Sequence, residues 1–324
     1  MRVIIPAAGL GSRLRPHTHT IPKSLLHVAG KPILGHILDR VAQLEPEEII
    51  VITGFLGEMV QEYVTEHYSI KTRFVQQKEL LGLGYAVDMA LGDMPDSPVL
   101  IILGDTIVEA DMKKFISDGD NVLGVMPVVD PQRFGIADVK NGKVSGLVEK
   151  PTEPKSNLAL IGLYFIKNSQ MLKKHLDKII STDKRTKGEY QLTDALQGMI
   201  EDKTVFNAYS VGGWFDCGKR ETLIETNRHL LKKNKATPSI EGSVIIPPSF
   251  VAPTAKIESS IIGPYVSVSD GATVKNSIIR NSIVGFEAEV KNSLLSDSLI
   301  GHRATVIGDY GTLNVGDSSE VGHF

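Results

Sequence analysis

Cysteine is nearly absent: Cys217 is the only one among 324 residues, so no disulfide can form within the chain. No apolar run reaches the roughly 18 residues a membrane helix needs, and no basic-then-apolar leader opens the sequence. Charge of one sign is lacking too. A net charge of −3 leaves no basic excess for a general nucleic-acid or membrane-surface binder, so any phosphate binding must be local. Histidine and cysteine nowhere fall at zinc spacing. These absences predict a cytoplasmic protein that partners neither nucleic acid nor membrane. Any metal would be a hard ion held by carboxylates and phosphates.

The apolar share of 42% is ample for a core, and the length suggests two domains on a soft prior of roughly 150 residues each. Residues 1–233 alternate strand-like runs with amphipathic helical stretches. Helical periods fall at residues 33–44, 56–67 and 85–91, and apolar strands at 49–53, 72–75 and 99–103. That order predicts an α/β fold with a doubly wound, Rossmann-like sheet, whose ligands bind beyond the carboxyl ends of the strands. Residues 234–241 read as a linker. Beyond them the helical period stops and a repeat of 16 residues begins: Val274, Lys275, Asn276 and Ser277 recur as Val290, Lys291, Asn292 and Ser293. Apolar residues every five or six positions, from Val268 to Val306, predict a short left-handed parallel β-helix of hexapeptide type over residues 242–324. The stretch from Gly308 to Gly316 reads as a loop. Such helices often serve acyltransferases, but this one is short and offers only His302 and His323 as bases. An oligomerising or regulatory cap is the better reading, with homo-oligomerisation expected from its exposed edges.

The chemistry concentrates where the first strand ends. The apolar run Val3, Ile4, Ile5 leads through Ala8 into Gly9-Leu10-Gly11-Ser12-Arg13-Leu14-Arg15-Pro16, and Pro22-Lys23 follows. Two glycine loops are excluded by what is missing. Leu14 stands where the dinucleotide fingerprint needs its third glycine, and Pro22 where the P-loop needs a glycine before lysine. What remains is a turn whose backbone N–H groups, from Ala8, Gly9, Gly11 and Ser12, could cradle phosphate. Arg13 adds a planar fork and Lys23 a mobile point charge. A nucleoside triphosphate fits that cradle, whereas a bare glycine pair would be only a turn. Asp105 closes the apolar strand after Gly104, as a crevice carboxylate or as a simple turn or cap residue. Asp216 lies between Gly213 and Gly218, and the two acids together could hold one Mg²⁺ that also binds phosphate oxygens.

The glycine loop with its Pro-Lys follow-on resembles, at every defining position, the signature of the sugar nucleotidyltransferases. Further segments extend the resemblance over nearly all of the first 230 residues. Within that family the chain looks most like the long form of the glucose-1-phosphate thymidylyltransferases, through Leu81-Gly82-Leu83-Gly84, the run from Glu149 to Tyr164, and Gly316-Asp317-Ser318-Ser319-Glu320-Val321. One departure is Phe215-Asp216-Cys217-Gly218, where the long forms often carry Lys-Asp-Thr-Gly; the acid is kept.

The resemblance implies that dTTP and glucose 1-phosphate give dTDP-glucose and pyrophosphate with Mg²⁺ on Asp105 and Asp216. Arg13, Lys23 and Lys150 join those acids as the catalytic set. Gln77 and Gly82 would read the base. Glu149 would accept from sugar hydroxyls and Lys150 meet the sugar phosphate, with Gly135, Leu160 and Gly162 lining the hexose. Taken alone, Glu149-Lys150 could equally be an exposed ion pair before a proline turn. Glu189 is structural or sugar-facing, and the sequence does not decide which. UTP is a close alternative to dTTP, since one methyl group separates the bases. A mannose-1-phosphate guanylyltransferase and a non-catalytic regulatory homologue are further alternatives.

Overall fold

A computed structural model describes residues 1–117, 120–233, 238–308 and 310–322. Contacts divide the chain into two units, residues 1–9 with 37–214, and residues 10–36 with 215–324. Of the expected linker, residues 234–237 lie outside the described residues, as does His323. Among the described residues no helix is long and apolar enough to cross a membrane.

The first unit is a mixed α/β layer built on a nine-stranded sheet. Its strands are β1 (Arg2–Pro6), β2 (Glu48–Thr53), β3 (Thr72–Gln76), β4 (Val99–Ile102), β5 (Asn121–Pro127), β6 (Gly135–Lys140), β7 (Lys143–Glu149), β8 (Leu158–Ile166) and β9 (Phe206–Ser210). Their order in the sheet is β3-β2-β1-β4-β8-β5-β9-β7-β6. Strand β1 lies parallel to β2 and β4, with Ile4 opposite Ile50 and Ile101. Val3, Ile4 and Ile5 are all 0% exposed. Successive residues of a strand point to opposite faces, so the sheet is covered on both sides, as an unbroken apolar run requires. Because β1 to β4 run parallel, their carboxyl ends share one edge. That edge carries Ala8, Gln77 and Asp105. Strand β8 then runs antiparallel to both β4 and β5, which makes the sheet mixed.

The helices are α1 (Ile33–Ala42), α2 (Gly57–His67), α3 (Leu83–Leu91), α4 (Met112–Ser117), α5 (Ser169–Ser181), α6 (Leu192–Glu201) and α7 (Arg220–Leu231). Helix α5 starts at Asn168, whose Oδ1 accepts from the Met171 N–H at 2.7 Å, filling one of the donors a helix start leaves open.

In the second unit three parallel five-stranded sheets take one strand each from every successive triplet. Val274 lies opposite Val290 and Lys275 opposite Lys291, the pairing the repeat implies. Val268, Val274, Ile279, Val284, Val290, Leu295, Ile300 and Val306 form the buried interior. Buried serines recur at the same places. The Ser277 N–H donates to Ser260 Oγ and the Ser293 N–H to Ser277 Oγ, each at 3.1 Å. The Ser277 hydroxyl in turn donates to the Lys275 carbonyl at 2.7 Å, so no donor at this corner is left unpaired. The segment read as a loop, Gly308 to Gly316, instead contributes strands Tyr310–Gly311 and Asn314–Val315. The reason is pairing rather than propensity: the N–H groups of Leu299 and Gly301 donate to the carbonyls of Leu313 and Val315 at 2.9 and 2.8 Å. Strand Glu320–Gly322 then pairs with Thr305–Ile307 and completes one more turn of the repeat.

Helix α7 belongs to this unit, and its fully buried Asn227 joins three parts of it. Asn227 Oδ1 accepts from the Ala29 N–H at 2.8 Å and from the Ser267 hydroxyl at 2.6 Å, and its Nδ2 donates to the Tyr265 carbonyl at 3.3 Å.

Candidate active site

On the carboxyl edge of the first unit's sheet, the Gly104 N–H donates to the Pro6 carbonyl at 2.9 Å, which sets Asp105 beside the end of β1. Asp105 is half-buried, and its Oδ1 accepts from the Thr106 hydroxyl at 3.2 Å. A Cβ on Gly54 would lie 2.5 Å from the Ala8 carbonyl oxygen, so the turn after β2 is packed onto the start of the glycine loop. Gln77 is buried, its backbone N–H donating to the Thr53 carbonyl at 2.8 Å. Gly82 has φ +113°, and its Cβ would fall 2.6 Å from the Tyr190 carbonyl. Chain packing alone therefore demands glycine at 82, independently of any ligand.

A second cluster forms where β6, β7 and β8 meet the start of α6. Gly135 pairs with Glu149 across the strands. A Cβ on Gly135 would lie 2.9 Å from both Glu149 Oε2 and Thr193 Oγ1, and 3.2 Å from Leu160 Cδ1. The Thr193 hydroxyl donates to Glu149 Oε2 at 2.7 Å, and Lys150 Nζ stands 3.4 Å from Glu149 Oε1. Lys150 has φ +42°, a left-handed conformation that lysine adopts only under constraint, and one that turns the chain directly after Glu149. Burial pushes the Tyr164 phenol up, with the charge of Glu149 adding to the effect. Gly135, Glu149, Lys150 and Leu160 are thus brought together. Gly162 is not part of that group. Its φ is +80°, and its Cβ would lie 2.5 Å from Leu103 Cδ1, a packing demand at the end of β4.

Thr193 was missed by the sequence reading, which weighed Glu189 in the same segment. Glu189 is exposed; its Oε2 accepts from Gln191 Nε2 at 3.0 Å and its backbone pairs with Thr186. It holds a turn. The usable signal for Thr193 was its place at the start of an amphipathic helix, where a hydroxyl is free to face outward.

The second unit carries the rest of the glycine loop. Gly11, at φ +61°, precedes the single helical turn Ser12–Leu14. Its carbonyl accepts from the Thr18 hydroxyl at 2.9 Å, and a Cβ there would lie 2.9 Å from Thr18 Cγ2 and 3.0 Å from Lys23 Cβ. Arg13 and Ser12 are exposed. Lys23 is not the mobile charge expected from sequence: it is only 8% exposed, pinned in the helical turn Lys23–Leu25. Asp216 ends the strand Gly213–Asp216, and a Cβ on Gly218 would lie 2.8 Å from Arg13 Nη2, 2.8 Å from Asp216 Oδ1 and 3.0 Å from its Oδ2. The guanidinium and the carboxylate therefore converge over one glycine. The residues that depart from the resembling motif pack against α7. Phe215 stacks on His229 with ring centroids 4.0 Å apart, and Cys217 Sγ lies 3.7 Å from Thr226 Oγ1.

Among the described residues no group of three or more His, Cys, Asp or Glu could hold a metal ion by itself. Asp105 in the first unit and Asp216 in the second are each half-buried carboxylates, the donor type that Mg²⁺ takes alongside phosphate and water.

The chain is 34% identical over 316 residues to the low-salt glycan biosynthesis nucleotidyltransferase Agl11 of Haloferax volcanii, with 88% of this chain and 87% of the relative covered. It is 29% identical over 316 residues to a glucose-1-phosphate thymidylyltransferase of Streptomyces antibioticus, with the same 88% and 87% covered. Among solved structures, a UDP-glucose pyrophosphorylase in complex with UDP-glucose matches at a TM-score of 0.62, covering 72% of this chain and 99% of that one; at 24% identity this likeness speaks to the fold alone. The nucleotidyl transferase family model matches residues 2–233, and the chain belongs to that family.

Proposed function

We propose that this chain transfers a nucleotidyl group from a nucleoside triphosphate to a sugar 1-phosphate with release of pyrophosphate, dTTP and glucose 1-phosphate being the favoured pair. The observation that carries the reading is the grouping of Glu149, Thr193, Lys150 and Gly135. A half-buried carboxylate already holding a hydroxyl, beside an ammonium group, is what a sugar bearing an anomeric phosphate requires.

A phosphate oxygen of the sugar 1-phosphate attacks the α-phosphorus in line. The new P–O bond forms as the bond to the β-phosphate breaks, and pyrophosphate leaves with the electron pair. No general base is needed, because the attacking phosphate is already ionised. The obstacle is repulsion: two unit charges about 4 Å apart repel by roughly 4 kcal/mol at an effective dielectric near 20. Arg13 and Lys23 hold the departing pyrophosphate, while Lys150 holds the incoming phosphate. Asp105 and Asp216 would hold a divalent ion, which when bound would offset phosphate charge. Gln77 donates and accepts at once from its amide, which suits the O4 and N3–H edge of a pyrimidine.

Residues 1–233 serve as a Rossmann-like catalytic domain in this reading. Residues 234–241 connect it to a left-handed hexapeptide β-helix over 242–324, whose unpaired edge strands support self-association in the cytoplasm. UTP remains the principal competitor, because one methyl group in an apolar pocket is worth about 1–3 kcal/mol. The test is pyrophosphate release across dTTP, UTP, GTP, CTP and ATP, crossed with several hexose 1-phosphates. Release with a pyrimidine nucleotide and glucose 1-phosphate supports the proposal. Release only with GTP and mannose 1-phosphate, or with no pair, overturns it.

A further inference from the structure

Gly316-Asp317 lies at the far end of the three-sheet region, and the proposed reaction gives it no role. Yet it touches the most chemically significant loop of its own unit. The segment Pro16 to Thr20 is the strap that joins Arg13 to Lys23, and within the second unit it rests on the last triplet of strands. His17 Nε2 lies 2.9 Å from Asn314 Oδ1, joining the buried imidazole to an exposed side chain of the last triplet. The Thr20 hydroxyl donates to Asp317 Oδ2, and the His302 N–H donates to the other carboxylate oxygen at 2.8 Å. His17 Nδ1 stands 4.0 Å from that same Oδ1. A Cβ on Gly316 would lie 2.8 Å from Pro16 Cβ and Cγ, so the turn bearing Asp317 fits directly under the strap. The strap in turn grips the loop, through the Thr18 hydroxyl on the Gly11 carbonyl.

We infer that Asn314 and Asp317 are positioning residues for the phosphate-binding loop, fixing the strap that sets Arg13 relative to Lys23. The inference rests on the reading above, in which those two cations hold the triphosphate. Asp317 is suited to the task. Its carboxylate is almost fully withdrawn from solvent and takes donors from two separate segments, the strap and the turn at His302. Loss of the carboxylate cuts the tie between those two segments, even though the exposed Thr20 hydroxyl can then turn to the His17 carbonyl, 3.2 Å away. Small losses of placement matter here, because binding of a polyanion and in-line attack both depend on preorganised cations. On this view the last turn of the repeat is part of the catalytic apparatus in cis, and not only a surface for assembling copies.

The test uses the full-length chain, with steady-state kinetics in both substrates and with calorimetric binding of inorganic tripolyphosphate, which needs no turnover. Asp317→Ala is expected to lower kcat/KM for the nucleotide by about tenfold, the scale of one lost charge-assisted hydrogen bond. The KM for sugar 1-phosphate should change by less than about twofold, since Glu149, Lys150 and Thr193 belong to the other unit. Tripolyphosphate binding should weaken in parallel with the nucleotide term. Asp317→Asn should restore most of the loss: its Oδ1 still accepts from the His302 N–H, and the Thr20 hydroxyl can turn to accept from the amide. Thr20→Val removes the same bond from the strap side, and it decides the matter should Asp317→Ala fail to fold. Lys275→Ala, on an exposed ion pair with Glu258 in the middle of the repeat, is the control expected to leave kinetics unchanged. The inference is overturned if folded Asp317→Ala or Thr20→Val keeps nucleotide kinetics and tripolyphosphate binding within about twofold of the parent, or if both substrates weaken equally. Absence of any transfer by the parent chain would instead count against the proposed function, while the binding arm would still judge the loop.

Discussion

The two units position their candidate functional groups by opposite means. In the first, Asp105, Gln77 and Glu149 stand at or just past the ends of β4, β3 and β7, so each is fixed by a strand paired into the sheet, fully buried at β4 and partly buried at β3 and β7. In the second, Arg13 and Lys23 lie on irregular chain with single helical turns, and what steadies them is a set of side-chain bonds to residues about 300 positions further on, at Asn314 and Asp317. Backbone pairing is hard to disturb with one substitution, because no single side chain carries it. A strap held by a few side-chain bonds is easier to break, and easier to tune. The comparison predicts that the first unit tolerates changes around its site better than the second.

The largest expected effect puts one acid of each unit side by side. Asp105→Asn and Asp216→Asn should each lower kcat by about two orders of magnitude or more, because each removes a metal-binding charge where several phosphates must be neutralised. Thermal unfolding should move little, since both carboxylates are half-buried and reach solvent. Raising Mg²⁺ or substituting Mn²⁺ should recover part of the loss in both variants. Near-parental turnover in either would remove that acid from the mechanism and leave the other unit to supply the metal site alone.

How much of this was legible in the sequence follows the same division. The strands of the first unit were, because β-branched runs such as Ile49 to Ile52 can hardly be anything but a sheet buried on both faces. The repeat was legible too, because Val274 and Val290 sit in the same place on consecutive turns. Lys23 was readable as a cation but not as a buried one; its burial depends on Gly11 and Thr18 folding back over it, a tertiary event with no local signature. Gly308 to Gly316 read as a loop because glycine and aspartate disfavour strands, yet the preceding turn offered carbonyl and N–H partners that outweighed propensity. Gly82 was assigned to the base when packing on Tyr190 already accounts for it. Thr193 was passed over for Glu189 because charge is louder in a sequence than a hydroxyl. Asp317 was noticed only as part of a terminal resemblance, since nothing near it in the chain hints that it meets residue 20.

Acid should distinguish the units next. Burial pushes His27 down to about 4, helped by the neighbouring His302, while Asp270 opposes the shift. Burial also lowers His17 and His302, against the opposing charge of Asp317. A histidine whose folded pKa is depressed binds its proton more weakly than in the unfolded chain. Its stabilisation is therefore complete above the unfolded value near 6.5 and is lost as pH falls towards the folded value. For His27 alone the loss between about 6.5 and 4 amounts to roughly 3 kcal/mol. Among the described residues of the first unit, His175 is likewise lowered by burial with Asp202 opposing. Urea unfolding between pH 7 and 4.5, followed by hydrogen exchange resolved along the chain, should show protection disappearing first in residues 10–36 and 238–322. His27→Gln should flatten that loss. Equal loss in both units, or none, would remove the contrast.

The smallest effect sharpens the site within the first unit. Thr193→Val keeps the shape at the start of α6 but removes the hydroxyl that donates to Glu149 Oε2 at 2.7 Å. Lys150, 3.4 Å from its Oε1, still neighbours Glu149. Losing one such bond to a charged acceptor costs about 1.5–3 kcal/mol when nothing replaces it. A bound sugar hydroxyl, however, would replace it. The KM for sugar 1-phosphate should therefore rise only about threefold to tenfold, with nucleotide KM unchanged and stability lowered by about 1.5–3 kcal/mol in the absence of sugar. Because ligand stabilisation follows the dissociation constant, a fixed concentration of sugar 1-phosphate should stabilise Thr193→Val less than it stabilises the parent, in step with the higher KM. If Glu149 faces the sugar, the two effects must appear together. A rise in KM with parental stabilisation by sugar 1-phosphate would mean that the change lies in turnover and not in binding, and that Glu149 looks elsewhere.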